Sequence, residues 1–189
     1  MPNIIPFKGL RYNLNTKDIT SVVSPPYDVI SSDEKQDLEN KSKYNAVHVE
    51  LPGQNNEDYF RASELFVSWI REGVIIQDKT PSIYLAKHEF SINNKIISRY
   101  EIYASLELAS LDSGTILPHE ETRSGPKIDR LKLMKATDIN FSPIMMLFRD
   151  PKKTVTQIIN NIVQSPESLS AEITENEKVY LWVINDRDI

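Results

Sequence analysis

The clearest periodic stretch lies between Glu57 and Glu72. Tyr59, Ala62, Phe66, Trp69 and Ile70 recur there at the spacing of one helix face, and Gly73 supplies a C-terminal stop. Ser31 with Glu34 three residues later forms a capping box, which predicts a helix over 32–41. The alternation in YNAVHVEL, 44–51, predicts a strand with Ala46, His48 and Glu50 on one face and Val47, Val49 and Leu51 on the other. Residues 83–92 and 95–108 read as a long hairpin around Asn93-Asn94. Its charges, Lys87, Glu89, Arg99 and Glu101, are expected to form one solvated cross-strand ladder.

Pro126 suits the first position of a helix, where its missing N–H costs nothing. That helix is expected to reach about Ala136 and to bury Ile128, Leu131 and Met134. The apolar run 141–148 predicts a buried strand. Pro151 opens a helix to about Gln164 with Val155, Ile158, Ile159, Ile162 and Val163 on its apolar stripe. KVYLWVI, 178–184, is strongly strand-forming. Four prolines keep residues 1–31 irregular. The sum is an α+β fold: a mixed sheet with a long antiparallel hairpin and about four helices packed on it. The expected organisation is a single domain over 1–189, with 151–189 as an alternative start of a second lobe.

Composition narrows the function more than the fold. The 189 residues are 40% hydrophobic and 26% charged, ordinary values for a globular chain large enough to bury a core. The formal charge of -5 argues against general nucleic-acid binding. Cysteine is absent, which excludes disulfides, zinc–cysteine sites and a thiol nucleophile. Three histidines are too few for a His-rich metal cage. Neither a secretory leader nor a membrane-length apolar run is present, so the expected location is the cytoplasm. The 5 glycines form no GxGxxG or P-loop pattern.

The densest chemistry lies in 116–150. His119, Glu120, Glu121, Thr122 and Arg123 precede a Ser124-Gly125-Pro126 turn, and Lys127, Asp129 and Arg130 follow on the new helix. Gly125 permits close backbone approach, and a helix start presents free N–H groups. Arg123, Lys127 and Arg130 could then hold a phosphate or carboxylate. His119 and Glu120 could move protons or orient a nucleophile. The acidic groups could instead hold Mg²⁺, although no protein-held metal site is assigned. Tyr27 and Asp28, on the stiff Pro25-Pro26 loop, could face the same cleft. Each group also has a plain reading. Lys127 and Arg130 can pair with Asp129, Glu120 and Glu121, and Tyr27 can pack while Asp28 caps its turn.

Seven short segments occur together and in order: PFKGLRYN (6–13), PPYDVIS (25–31), YNAVHVELP (44–52), EGVIIQD (72–78), LPHE (117–120), GPKIDRL (125–131) and NFSPI (140–144). This set resembles the N-terminal portion of the conserved family of unknown function DUF1015. In members, His-Glu-Arg-Thr usually stands where this chain has His119-Glu120-Glu121-Thr122, so Arg123 is the nearest replacement for that charge. Members usually continue through an Ala-Asp-Gly-His-His-Arg segment similar to a box in ParB-like and sulfiredoxin-like proteins, among them nucleotide-dependent free-serine kinases. The resemblance thus implies that this chain is half of a longer architecture. The family itself carries no assigned activity; the charge cluster together with this distant similarity points to a nucleotide- or phosphometabolite-binding domain of a small-molecule enzyme, with a small anionic ligand, a nucleotide with Mg²⁺ as the expected cofactor and kinase-type phosphoryl transfer as the specific version. Two alternatives stand beside it. One is a non-catalytic interaction or homodimerisation module that uses Tyr180-Leu181-Trp182 as an edge strand. The other is a ParB-like nucleic-acid-associated protein, disfavoured by the charge.

Overall fold

The structure is a computed structural model that describes residues 3–13, 18–118 and 124–185. In chain order the elements are β1 (Ile4–Ile5), β2 (Leu10–Tyr12), α1 (Ile19–Val22), α2 (Ser32–Lys41), α3 (Val47–Glu50), α4 (Asn56–Arg71) and β3 (Ile75–Gln77). Then follow β4 (Ile83–Ile92), β5 (Lys95–Tyr103), β6 (Ser105–Leu106), α5 (Ser124–Thr137), α6 (Thr154–Ile162), β7 (Leu169–Thr174) and β8 (Glu177–Ile184). The class is α+β, as the pattern predicts. The chain divides into two compact units: Met1–Gly9, Gln77–Leu117 and Ile144–Ile189 form the first, and Leu10–Ile76 with Pro118–Pro143 form the second.

The first unit is built on a sheet of order β5-β4-β8-β7. Every pairing in it is antiparallel, so the sheet is not mixed. The hairpin turns at Asn93 and Asn94, both in the left-handed region at φ 50° and 60°, which asparagine tolerates better than most residues. One sheet face buries Leu85, Trp182 and Ile184 beneath Ile159 and Ile162 of α6 and Val163 at its end. The register splits the expected charge ladder across two faces. Lys87 stands opposite Tyr100 and pairs with Glu89 at 2.6 Å, whereas Arg99 stands opposite His88 and pairs with Glu101 at 2.6 Å. The period-2 pleat dictates this, because odd positions of β4 face even positions of β5.

Strand β8 lies between β4 and β7. Tyr180-Leu181-Trp182 is therefore central, and the edge reading of that segment is corrected. At the start of this unit, Gly9 N–H donates to the Tyr84 hydroxyl at 2.7 Å, and that hydroxyl donates to Asp78 at 2.8 Å. A Cβ on Gly9 would meet the same hydroxyl at 2.5 Å, so the approach requires glycine.

The second unit packs Val49, Tyr59, Ala62, Phe66, Trp69, Val74, Ile75 and Leu133 into one core. Helix α4 supplies Tyr59, Ala62, Phe66 and Trp69 of the stripe expected of it, whereas Ile70 is exposed. Helix α2 begins with the expected capping box, Glu34 N–H to Ser31 Oγ and Ser31 N–H to Glu34. Two expectations fail here. Residues 44–51 do not form a strand, because Asn45 overrides the alternation. Its buried side chain accepts from Val47 N–H at 3.1 Å and donates to the Ser21 and Val23 carbonyls at 3.0 Å, closing a helical turn at α3. Helix α5 buries Leu133 but leaves Ile128, Leu131 and Met134 exposed, because its inward face carries Asp129 and Arg130 instead.

The run 141–148 is not a buried strand either. Phe141 packs edge-on against Phe66 at 5.1 Å in the second unit, but Ile144 to Phe148 of the first unit are exposed and carry no regular structure. The chain passes from one unit to the other there, so no sheet edge takes up the run. The next helix, α6, starts at Thr154 rather than Pro151, and Asp150 accepts from Thr156 N–H and Oγ at 2.8 Å to secure its first turn.

Candidate functional site

The second unit contains a partly buried network of arginine, carboxylate and tyrosine groups. Arg130 points inward from α5. Its Nε and Nη2 donate to Asp129 Oδ2 at 2.8 and 2.5 Å, and Nη2 also donates to the Glu50 carbonyl at 2.7 Å. Its guanidinium lies 4.0 Å from the centre of the Tyr27 ring, in cation–π contact. Asp129 accepts on its other oxygen from Tyr59 Oη at 2.5 Å. Burial and this bond to a carboxylate push the Tyr59 hydroxyl up to about 12, so it stays protonated and donates to Asp129.

Local sequence places each member. Asn45 closes the α3 turn, whose last residue, Glu50, presents its carbonyl to Arg130 and has its carboxyl within reach of the Arg130 charge. The Pro25-Pro26 segment holds a turn in which Val29 N–H donates to the Pro26 carbonyl at 3.1 Å, and Tyr27 projects from it. Tyr59 belongs to the buried stripe of α4.

Two features distinguish this network from a finished salt bridge. The Glu50 carboxyl is desolvated, and its pKa rises from 4.5 to about 7 even though the Arg130 charge pulls the other way. It can therefore take or give a proton near neutrality. The second feature is Arg130 Nη1, which is buried and has no hydrogen-bond partner among the described residues. An unsatisfied guanidinium N–H inside a protein costs roughly 1–3 kcal/mol, more for a charged group, unless something accepts from it. Nearby, the Tyr12 hydroxyl donates to the Tyr44 carbonyl at 2.8 Å and is pushed well above its ordinary pKa by burial, then by the Glu50 charge.

Of the residues singled out from sequence, Tyr27 and Arg130 meet. Asp28 is exposed and takes no part in the network. Lys127 is exposed on the first turn of α5. Gly125 does not form a turn: Ser124, Gly125 and Pro126 are all helical, and a Cβ on Gly125 would meet nothing within 4 Å. His119, Glu120 and Arg123 lie outside the described residues. Glu50, Asp129 and Tyr59 were missed as site residues. The alternation in 44–51 puts Glu50 on a strand face, and the periodicity of 57–72 puts Tyr59 in a core stripe. Asp129 offered a signal, its position next to Arg130, but it read as an internal pair.

Elsewhere, the first unit has a cavity of about 530 Å³ lined by Lys87, Glu89, Tyr100, Gln164, Tyr180 and Trp182. Lys87 pairs with Glu89 there at 2.6 Å, and Trp182 Nε1 donates to the Ser165 carbonyl at 3.0 Å. Among the described residues no group of three His, Asp or Glu side chains could hold a metal ion, and no helix is long and apolar enough to cross a membrane.

The class defined so far is an α+β protein with an arginine–carboxylate–tyrosine network inside one unit. A family model described as "protein of unknown function (DUF1015)" matches residues 4–189, and the chain belongs to that family. Searches of curated proteins and of solved structures found no match.

Proposed function

We propose that the second unit binds a small anionic metabolite, a phosphate or a carboxylate, and that Glu50 exchanges a proton with it. The observation that carries this reading is the buried Arg130 Nη1 with no acceptor among the described residues. Asp129, the Glu50 carbonyl and the Tyr27 ring fix the guanidinium, so one donor is left over in a preset direction. Preset donors bind anions without the entropy cost of ordering a free side chain. Lys127, three residues earlier on the same helix, adds a second cation, and Arg123 a third. The specific form is phosphoryl transfer from a nucleotide with Mg²⁺, with His119 and Glu120 orienting the nucleophile or the metal.

The test is thermal unfolding with inorganic phosphate, phosphorylated metabolites, small carboxylates, and ATP or ADP with and without Mg²⁺. A ligand at about 100 times its Kd adds roughly 2.7 kcal/mol, or roughly 5–10 °C for a chain of this size. Arg130→Lys keeps the charge but loses Nη1, and should abolish the shift measured from its own baseline. Lys127→Ala, at an exposed position, should reduce it. If no compound moves the transition, or if both variants respond like the parent, the reading is wrong. A phosphate-transfer assay on any nucleotide that binds then decides the kinase version.

A further inference from the structure

We infer that the outer edge of β5 is a homodimer interface, on which a second copy of this chain adds its own β5 antiparallel to form an eight-stranded sheet. The two edges of the four-stranded sheet differ in kind. β7 has six residues and a register irregularity between Glu172 and Thr174, the usual means of blunting an edge. β5 has nine residues, KIISRYEIY, an unbroken register with β4, no proline, and apolar side chains left exposed at Ile96 (79%), Ile97, Tyr100 and Ile102.

The hairpin dictates which backbone groups are free. A two-residue turn makes Ile92 and Lys95 a hydrogen-bonded pair, so 95, 97, 99, 101 and 103 bond to β4. The N–H and C=O groups of Ile96, Ser98, Tyr100 and Ile102 therefore point outward, where no strand pairs with them among the described residues.

Side-chain complementarity under two-fold symmetry then favours a second copy as the partner. A two-fold axis perpendicular to a continuous antiparallel sheet passes through a residue position, so that outward-bonding residues of one copy face outward-bonding residues of the other. Centring it on Ser98 puts Ile96 opposite the partner copy's Tyr100 on one face and Lys95 opposite its Glu101 on the other, and each pairing occurs twice. Aromatic–β-branched and opposite-charge pairs are the stabilising cross-strand combinations. Centring it on Arg99 would instead set that arginine opposite its own copy, a destabilising like-charge pair. The strand is thus complementary to itself in charge and shape, and a second copy is the occupant that satisfies both.

The experiment is sedimentation equilibrium on the full chain over a range of concentrations, with three variants. Ser98→Pro removes an outward N–H and no bond to β4, so it should abolish dimers and leave circular dichroism unchanged. Lys95→Glu places like charges at two symmetric positions and should weaken dimerisation about tenfold. Adding Glu101→Lys to it should restore the parent's affinity. A monomer at every concentration overturns the proposal. So does a dimer that neither Ser98→Pro nor the charge swaps affect.

Discussion

The most informative single residue is Glu50, because its environment makes a signed prediction. Unfolded, its carboxyl loses its proton near pH 4.5; folded, it keeps the proton to about pH 7. Between those values the folded state binds more protons than the unfolded one, so this residue's contribution makes stability fall as pH rises from about 4.5 to about 7. It is flat on either side of that window. The full shift corresponds to roughly 3 kcal/mol. Glu50→Gln keeps the shape and cannot ionise. It should match the parent at pH 4 and exceed it by up to roughly 3 kcal/mol at pH 8. Urea unfolding of both proteins at pH 4, 6 and 8 checks this, and an equal difference at all three would rule it out. A stabilising substitution at a buried acid is what a site retained for function leads one to expect. Glu50 was not visible as a site residue in the sequence, because alternation in 44–51 placed it on a strand face. Tyr27 and Arg130 were visible, one by its stiff loop and the other by its position near a helix start.

At the scale of elements, legibility follows how local the cause is. The capping box of α2, the stripe of α4 and the Asn93-Asn94 hairpin each depend on residues a few positions apart, and each appears as the pattern implies. α3 does not, since its cause is Asn45 bonding to carbonyls more than twenty residues earlier. α5 does not either: its apolar residues suggest one face toward the core, while the network turns Asp129 and Arg130 inward. The hairpin offers a direct check on local causation. Asn94 sits at φ 60°, where a residue with an ordinary Cβ is penalised and glycine is not. Asn94→Ala should cost about 1 kcal/mol and Asn94→Gly should cost nothing or stabilise slightly. Measured by thermal unfolding, equal losses for the two variants would mean that the turn conformation contributes little. Because the sheet of the first unit depends on this register, and the free edge of β5 inherits it, Asn94→Ala should also weaken any dimer more than Asn94→Gly does.

For the molecule as a whole, the connectivity is the main unexpected feature. The chain passes between its two units four times, at Gly9–Leu10, Ile76–Gln77, Leu117–Pro118 and Pro143–Ile144. The last passage runs into an exposed apolar stretch, where Ile144 is 84% and Leu147 90% exposed. Apolarity predicts a tendency to be buried, not that a place for burial exists, so hydrophobicity alone pointed to a strand here. Backbone without internal hydrogen bonds opens easily and is the preferred site of native-state cleavage. Brief chymotrypsin treatment of the folded protein should therefore cut first after Met145, Met146, Leu147 or Phe148. Phe60 and Tyr100 are also exposed, but their backbones belong to α4 and β5 and should resist. The C-terminal product would carry α6, β7 and β8. Since β8 pairs with β4 over eight residues, from Ile83–Ile184 to Phe90–Glu177, the two fragments should co-elute in gel filtration and separate only on denaturation. First cuts inside α4 or β5 would show that the stretch is covered in solution. Early dissociation of the fragments would show instead that β8 depends on an intact chain for its place at the centre of the sheet.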